Sequence, residues 1–264
     1  MSDYRGRFLW IELLTTDVDA AKAFYTQAIG WGTQVWGDGA PSPEMGGQPY
    51  IMWTAGGVPM GGLTKLPEEA RSMGAPPHWM ANIGTPDVDA SVKMVKEMGG
   101  QVYMPPMDVP KIGRVAVVAD PQGATFALYQ PLEGPSTPLA EPKVGELSWR
   151  ELLAGNWQEA WKFYEQMFGW QKTGSSDMGP MGTYQLFGIG THTLGGMFTK
   201  PAEMPAPPHW LYYFRVSDVN AAIERIQAGG GKVLNGPMVV PDGSTIAQCM
   251  DPQGAVFAVH TPKQ

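Results

Sequence analysis

Between Phe8 and Leu14 the chain alternates with the period of a strand: Phe8, Trp10, Glu12 and Leu14 share one face, and Leu9, Ile11 and Leu13 the other. The period then changes. Ala21, Phe24, Tyr25, Ala28 and Ile29 recur at helical spacing, which predicts a helix that buries one side. Asp17 stands where an N-cap oxygen would accept free amide N–H groups, and Gly30 where the helix end needs a positive φ. The same change of period returns later. Ala160, Phe163, Tyr164, Met167 and Phe168 lie between Asn156 and Gly169, after a strand-like run that begins at Trp149. The Phe-Tyr pairs are expected in the core. Both strand runs carry a glutamate, Glu12 and Glu151, among large apolar residues.

These two stretches are copies. "WIELLTTDVDAAKAFYTQAIGW" (Trp10 to Trp31) and "WRELLAGNWQEAWKFYEQMFGW" (Trp149 to Trp170) match at Trp, Glu, Leu-Leu, Phe-Tyr and Gly-Trp. "PPHW" occurs at Pro76–Trp79 and Pro207–Trp210, "DPQGA" at Asp120–Ala124 and Asp251–Ala255, and "GGLTK" (Gly61–Lys65) is echoed by "GGMFTK" (Gly195–Lys200). Each half also holds a weaker internal repeat, "GTPDVDASVKMVKEMGG" (Gly84–Gly100) and "VSDVNAAIERIQAGGG" (Val216–Gly231). The unit is therefore strand–helix–strand–strand–strand, used four times. Modules are expected at about 6–70 and 75–134 in a first domain (1–134), and about 145–203 and 207–264 in a second (145–264). A Pro/Gly-rich linker would lie at about 131–145. The "DPQG" segments read as type I turns, followed by strands that put Ala127 beside Tyr129 and Ala258 beside His260 on one face.

Composition narrows the function. At 264 residues the chain can bury a sizeable core, and charged residues are only 16%. A net charge of −7 argues against a nucleic-acid surface, and no apolar run is long enough to span a bilayer. A cytoplasmic monomer or homodimer is expected. The single cysteine, Cys249, can form neither an internal disulfide nor a multi-cysteine metal site, and reads as core.

The strand, the "DVDAAKAFY" helix with its "GW", and the later "DPQGAxFA" strand resemble the vicinal-oxygen-chelate superfamily. That group includes glyoxalase I, bleomycin-resistance proteins and extradiol dioxygenases. The likeness covers both halves and is nearest to the tandem glyoxalase-like branch. It implies an α+β fold of four βαβββ modules paired into two incomplete β-barrels with flanking helices. It also implies a cleft in each barrel where His, Gln or Glu side chains bind a divalent metal (Zn, Ni, Fe or Mn). Counted from the helix caps and turns, those ligand positions fall on Trp10, Met80 and Ala127, and on Trp149, Leu211 and Ala258. None offers an oxygen or nitrogen donor, so the usual metal, and any cofactor, is expected to be absent.

Other groups could replace it. Glu12 and Glu151 lie two residues beyond missing ligands on the same strand face, where burial would raise a carboxyl pKa as an acid/base requires. A structural acid satisfied by a Tyr hydroxyl, an Arg or backbone N–H groups is the alternative. His78 and His209 precede missing ligands by two residues, and His260 follows one by two, where Tyr129 stands in the first half. Glu151, His209 and His260 form a displaced metal-competent set, but each shift spans about 6–7 Å along a strand. Trp10, Trp79, Met80, Tyr129, Trp149 and Trp210 could wall a small-molecule pocket or simply fill core. Gly37–Gln48 and Thr173–Gly182 read as connections that could serve as rims, His192 as a turn or edge residue, and Lys111–Arg114 as a basic turn near a cleft mouth. Three readings follow: a metal-free binder of a small apolar or aromatic molecule, a lyase or isomerase with Glu12 or Glu151 as acid/base, and a non-catalytic interaction protein.

Overall fold

The computed structural model describes residues 4–37, 49–134 and 139–263. The four modules are present in the expected order. The first is β1 (Phe8–Thr15), α1 (Val18–Ala28), β2 (Gly32–Val35), β3 (Ile51–Ala55) and β4 (Val58–Lys65). A short helix that the pattern did not announce, α2 (Glu68–Ser72), leads to the second: β5 (His78–Gly84), α3 (Val88–Glu97), β6 (Gln101–Val109), β7 (Gly113–Ala119) and β8 (Thr125–Pro131). The third is β9 (Leu147–Ala154), α4 (Trp157–Phe168), β10 (Gln171–Asp177), β11 (Thr183–Ile189) and β12 (His192–Thr199). The fourth is β13 (His209–Arg215), α5 (Val219–Ala228), β14 (Lys232–Val239), β15 (Thr245–Met250) and β16 (Val256–Thr261).

The helix ends form as their residues dictate. Asp17 Oδ1 accepts from Ala20 N–H at 3.0 Å, and Asn156 Oδ1 from Gln158 and Glu159 N–H. Gly169 ends α4 in the left-handed region. Each "DPQG" closes a turn from Gly123 N–H to Asp120 C=O, or Gly254 N–H to Asp251 C=O.

The strands make two eight-stranded mixed sheets, ordered β2-β3-β4-β1-β5-β8-β7-β6 and β10-β11-β12-β9-β13-β16-β15-β14. Within each module the first strand or its neighbour pairs in parallel (β1 with β4, β5 with β8), and the remaining hairpins are antiparallel. Neither sheet closes on itself, which is the expected α+β fold of incomplete barrels.

The compact units cut across the halves. One comprises Met1–Leu9, Met80–Ala140 and Trp149–Leu211; the other comprises Trp10–Trp79, Glu141–Ser148 and Tyr212–Gln264. The second unit packs Tyr25 against Trp31, Trp53, Trp79 and Phe257. The first packs Tyr164 against Phe126, Trp170 and Trp210 in the corresponding way. Both Phe-Tyr pairs are buried. Cys249 is buried too, and desolvation pushes its thiol up to about 12, so it packs as an inert apolar group.

Candidate functional site

Glu12 lies on β1 directly opposite Gly62 of β4. The Trp10 indole N–H donates to the Tyr50 hydroxyl at 2.8 Å, and that hydroxyl donates to Glu12 Oε2 at 2.8 Å. The other oxygen, Oε1, is buried and meets no hydrogen-bond partner among the described residues. Glu12 as a whole is half-buried, and its Oε1 is closed off from solvent. Desolvation raises its pKa to about 7, against the opposing pull of Tyr50 and the weaker polar influence of Trp10 and Thr64. Gly62 is required here. A Cβ at that position would collide with the Tyr50 hydroxyl and both Glu12 oxygens.

The second copy repeats the arrangement in the other unit. Trp149 N–H donates to the Tyr184 hydroxyl at 2.8 Å, and Tyr184 donates to Glu151 Oε1 at 2.8 Å. Glu151 is buried and faces Gly196 of β12, where a Cβ would strike the Tyr184 ring. Tyr50 and Tyr184 were not singled out from the sequence. Their signal was a third weak repeat, "YIMW" and "YQLF", each standing before a Gly-Gly pair.

The "PPHW" tryptophans behave differently from Trp10 and Trp149. Trp79 is buried, and its N–H donates to Tyr25 at 2.9 Å; Tyr25 in turn donates to Asp251 at 3.1 Å. Trp210 donates to Tyr164 at 3.0 Å, and Tyr164 to Asp120 at 3.0 Å. Each Asp also accepts backbone N–H bonds within its own turn. Each relay thus joins the helix of one half to the turn of the other, within one unit. The structure places both tryptophans in packed core.

His78 and His209 begin β5 and β13. Each ring holds its Nδ1 at 2.8 Å from a proline carbonyl, Pro76 or Pro207, and burial lowers both pKa values. Met80 is buried, and Tyr129 donates to the Ile112 carbonyl at 3.2 Å. His260 sits on β16 with Nδ1 at 3.0 Å from Ser148 Oγ. His192 is exposed and opens β12 at the hairpin turn from β11, on an interior strand rather than an edge.

One loop reading changes. Thr173–Gly182 is not a simple connection: β10 occupies its first half and pairs with β11, followed by a short helical turn at Gly179–Met181. Gly37–Gln48 lies almost wholly outside the described residues. In Lys111–Arg114 the arginine is committed to Asp89 and Asp108, which leaves Lys111 as that turn's exposed cation.

The profile of the glyoxalase/bleomycin resistance protein/dioxygenase superfamily matches residues 7–128 and again 147–259. The chain belongs to this superfamily. CFP32 of Mycobacterium bovis, which bears a glyoxylase name, is 37% identical over 99% of this chain and 97% of its own. The anthracycline biosynthesis protein DnrV of Streptomyces peucetius is 32% identical over 96% and 92%. Among solved structures, the Mn(II)-bound glyoxalase of Novosphingobium aromaticivorans aligns with a TM-score of 0.64 and 19% identity, covering all of this chain and 84% of its own. That likeness concerns the fold. No described helix is long and apolar enough to cross a membrane.

Superfamily membership raises the question of a metal. No group of three His, Cys, Asp or Glu side chains among the described residues could hold one, so Glu151, His209 and His260 are not brought together. The mapped ligand positions do not fit either. Ala258 lies on the sheet between Tyr213 and Gln248, which pair with it from β13 and β15. Gln248 donates to the Tyr213 hydroxyl at 3.1 Å, a bond that spans the Ala258 position. A hydrogen bond between two neutral side chains occupies the place of a carboxylate ligand.

Proposed function

We propose that the chain binds a small apolar or aromatic molecule bearing a carbonyl group, at the Trp10–Tyr50–Glu12 station, without the superfamily's metal. One observation carries this reading: a half-buried glutamate beside Trp10 and Tyr50 whose pKa desolvation raises to about 7. A protonated Glu12 can donate to a carbonyl oxygen, while the Trp10 ring supplies apolar wall. Relatives named for glyoxylase and for anthracycline biosynthesis make small dicarbonyls and anthracyclines the first compounds to try.

A second reading is favoured by the same value. A group half-ionised near neutral pH is suited to give and take a proton, so Glu12 would act as acid/base in a lyase or isomerase reaction on a carbonyl compound. Glu151, in the matching station, would be its counterpart.

The two separate in one experiment. Quenching of tryptophan fluorescence measures binding, and product formation measures turnover, in the wild type and in Glu12→Gln. A binder loses affinity on substitution and shows no turnover in either form. An enzyme keeps most affinity and loses turnover. No binding of any tested compound, or one stoichiometric divalent ion whose removal abolishes function, defeats the proposal.

A further inference from the structure

The fourth module carries polar chemistry that its counterpart in the first half lacks. On β13, β16 and β15 one side of the sheet is core: Tyr212, Phe214, Phe257, Val259 and Ala247 are fully buried. The alternate residues take the other side in two rows. One row is Tyr213, Ala258 and Gln248; the next is Arg215, His260 and Ile246. In the second module the same rows read Asn82, Ala127 and Val117, then Gly84, Tyr129 and Val115. Duplication therefore does not account for the cation or the imidazole.

The hydrogen bonds around Ser148 point to one ring nitrogen of His260 as the proton carrier. Ser148 has one hydroxyl hydrogen, and it goes to the Tyr213 carbonyl at 3.1 Å. Toward His260 the same oxygen can then only accept, so His260 donates through Nδ1–H at 3.0 Å. Burial lowers the His260 pKa; Asp242 pulls it up and Arg215 pulls it down. The neutral ring keeps its lone pair on Nε2, which meets no donor among the described residues. Beside it, Arg215 gives Nη1 to the Pro142 carbonyl at 2.5 Å and has its other N–H groups unengaged by described residues. Asp242 is a member of the nearby turn, with Oδ1 taken by Ser244 N–H at 2.8 Å. Both His260 and Arg215 are partly exposed.

We propose that this face is a second small-molecule station for a hydroxy-carboxylate, with Arg215 receiving the carboxylate and His260 Nε2 accepting from the hydroxyl. An arginine beside a fixed acceptor discriminates such a ligand from a plain carboxylate, because an acid without the hydroxyl leaves Nε2 unmatched. Ser148 is a positioning residue: it holds the ring in the accepting tautomer and touches no ligand. The proposal is independent of the Glu12 station, since it is read at different residues.

The probe is 3-hydroxybenzoate, followed by 15N NMR of the histidine rings in the full chain. The free protein should show His260 as the Nδ1–H tautomer, and 3-hydroxybenzoate should shift its Nε2 resonance to saturation. His260→Phe and Arg215→Gln should each weaken 3-hydroxybenzoate about tenfold or more, while benzoate binds wild type and His260→Phe alike. Ser148→Ala should leave the fold intact, mix the tautomers and weaken 3-hydroxybenzoate. An Nε2–H tautomer in the wild type, no 3-hydroxybenzoate binding, or equal binding by His260→Phe overturns the proposal.

Discussion

Replacing Glu12 with Gln should make the protein more stable at neutral and alkaline pH, by an amount that depends on pH. The folded value of about 7 lies above the 4.5 of an ordinary glutamate. Such a group contributes its full stability below pH 4.5 and loses it as pH rises through 7, because the folded chain must then hold a desolvated charge. The interval of about 2.5 between those values, at 1.36 kcal/mol for each, amounts to about 3 kcal/mol, and water at the exposed part of the side chain reduces this to roughly 2–3 kcal/mol. Gln cannot ionise, so the variant lacks this loss. Any fixed cost of fitting its amide beside Tyr50 is the same at every pH. Urea unfolding of both proteins from pH 4.5 to 8.5 measures the difference. The stability of Glu12→Gln relative to wild type should rise steadily across that range and level off above pH 7.5. A difference that stays flat would mean that Glu12 ionises as an exposed carboxyl does, and the argument for a proton-bearing site would fail. A residue that weakens the fold at neutral pH, where a neutral isostere would not, is most simply retained for its chemistry.

Tyr50→Phe removes a donor that favours the charged carboxyl, so the Glu12 midpoint should move from about 7 to roughly 8–9 by 13C NMR of labelled glutamate. Gly62→Ala and Gly196→Ala push a methyl into the two Tyr–Glu pairs and should each cost about 1–3 kcal/mol in urea unfolding. Tyr25→Phe and Tyr164→Phe leave a buried indole N–H and a buried carboxylate oxygen without their shared hydroxyl, and should each cost about 1–3 kcal/mol by the same measurement. Elemental analysis of the purified chain should find well under one tightly bound divalent ion per molecule, and EDTA should leave binding at the Glu12 station unchanged.

Much of the candidate site was visible in the repeats. Glu12 and Glu151 stood out because a strand face of aromatic and aliphatic residues has no evident use for an acid, and the structure half-buries Glu12 and buries Glu151. Their hydroxyl partners were not visible. Tyr50 and Tyr184 reach them from just before β3 and from β11, at sequence separations of 38 and 33 residues. The pattern puts the histidines on the cleft face and leaves the "PPHW" tryptophans open between pocket wall and core. Adjacent positions on a strand face opposite ways, so Trp79 and Trp210 joined the core relays while His78 and His209 did not.

The amino-acid sequence by itself determined the four modules, their helix caps, their "DPQG" turns and which residues share a strand face. These are local matters of period, side-chain reach and φ. It could not determine which copy of a motif meets which. A duplicated chain offers the "DPQG" of either half to the Tyr of either helix, and local pattern cannot tell these pairings apart. Tertiary structure chose the crossed pairing: Tyr25 donates to Asp251, and Tyr164 to Asp120. It also decided what burial does to a carboxyl. Desolvation is a sum over everything packed around Glu12, and no single residue in the sequence carries that sum.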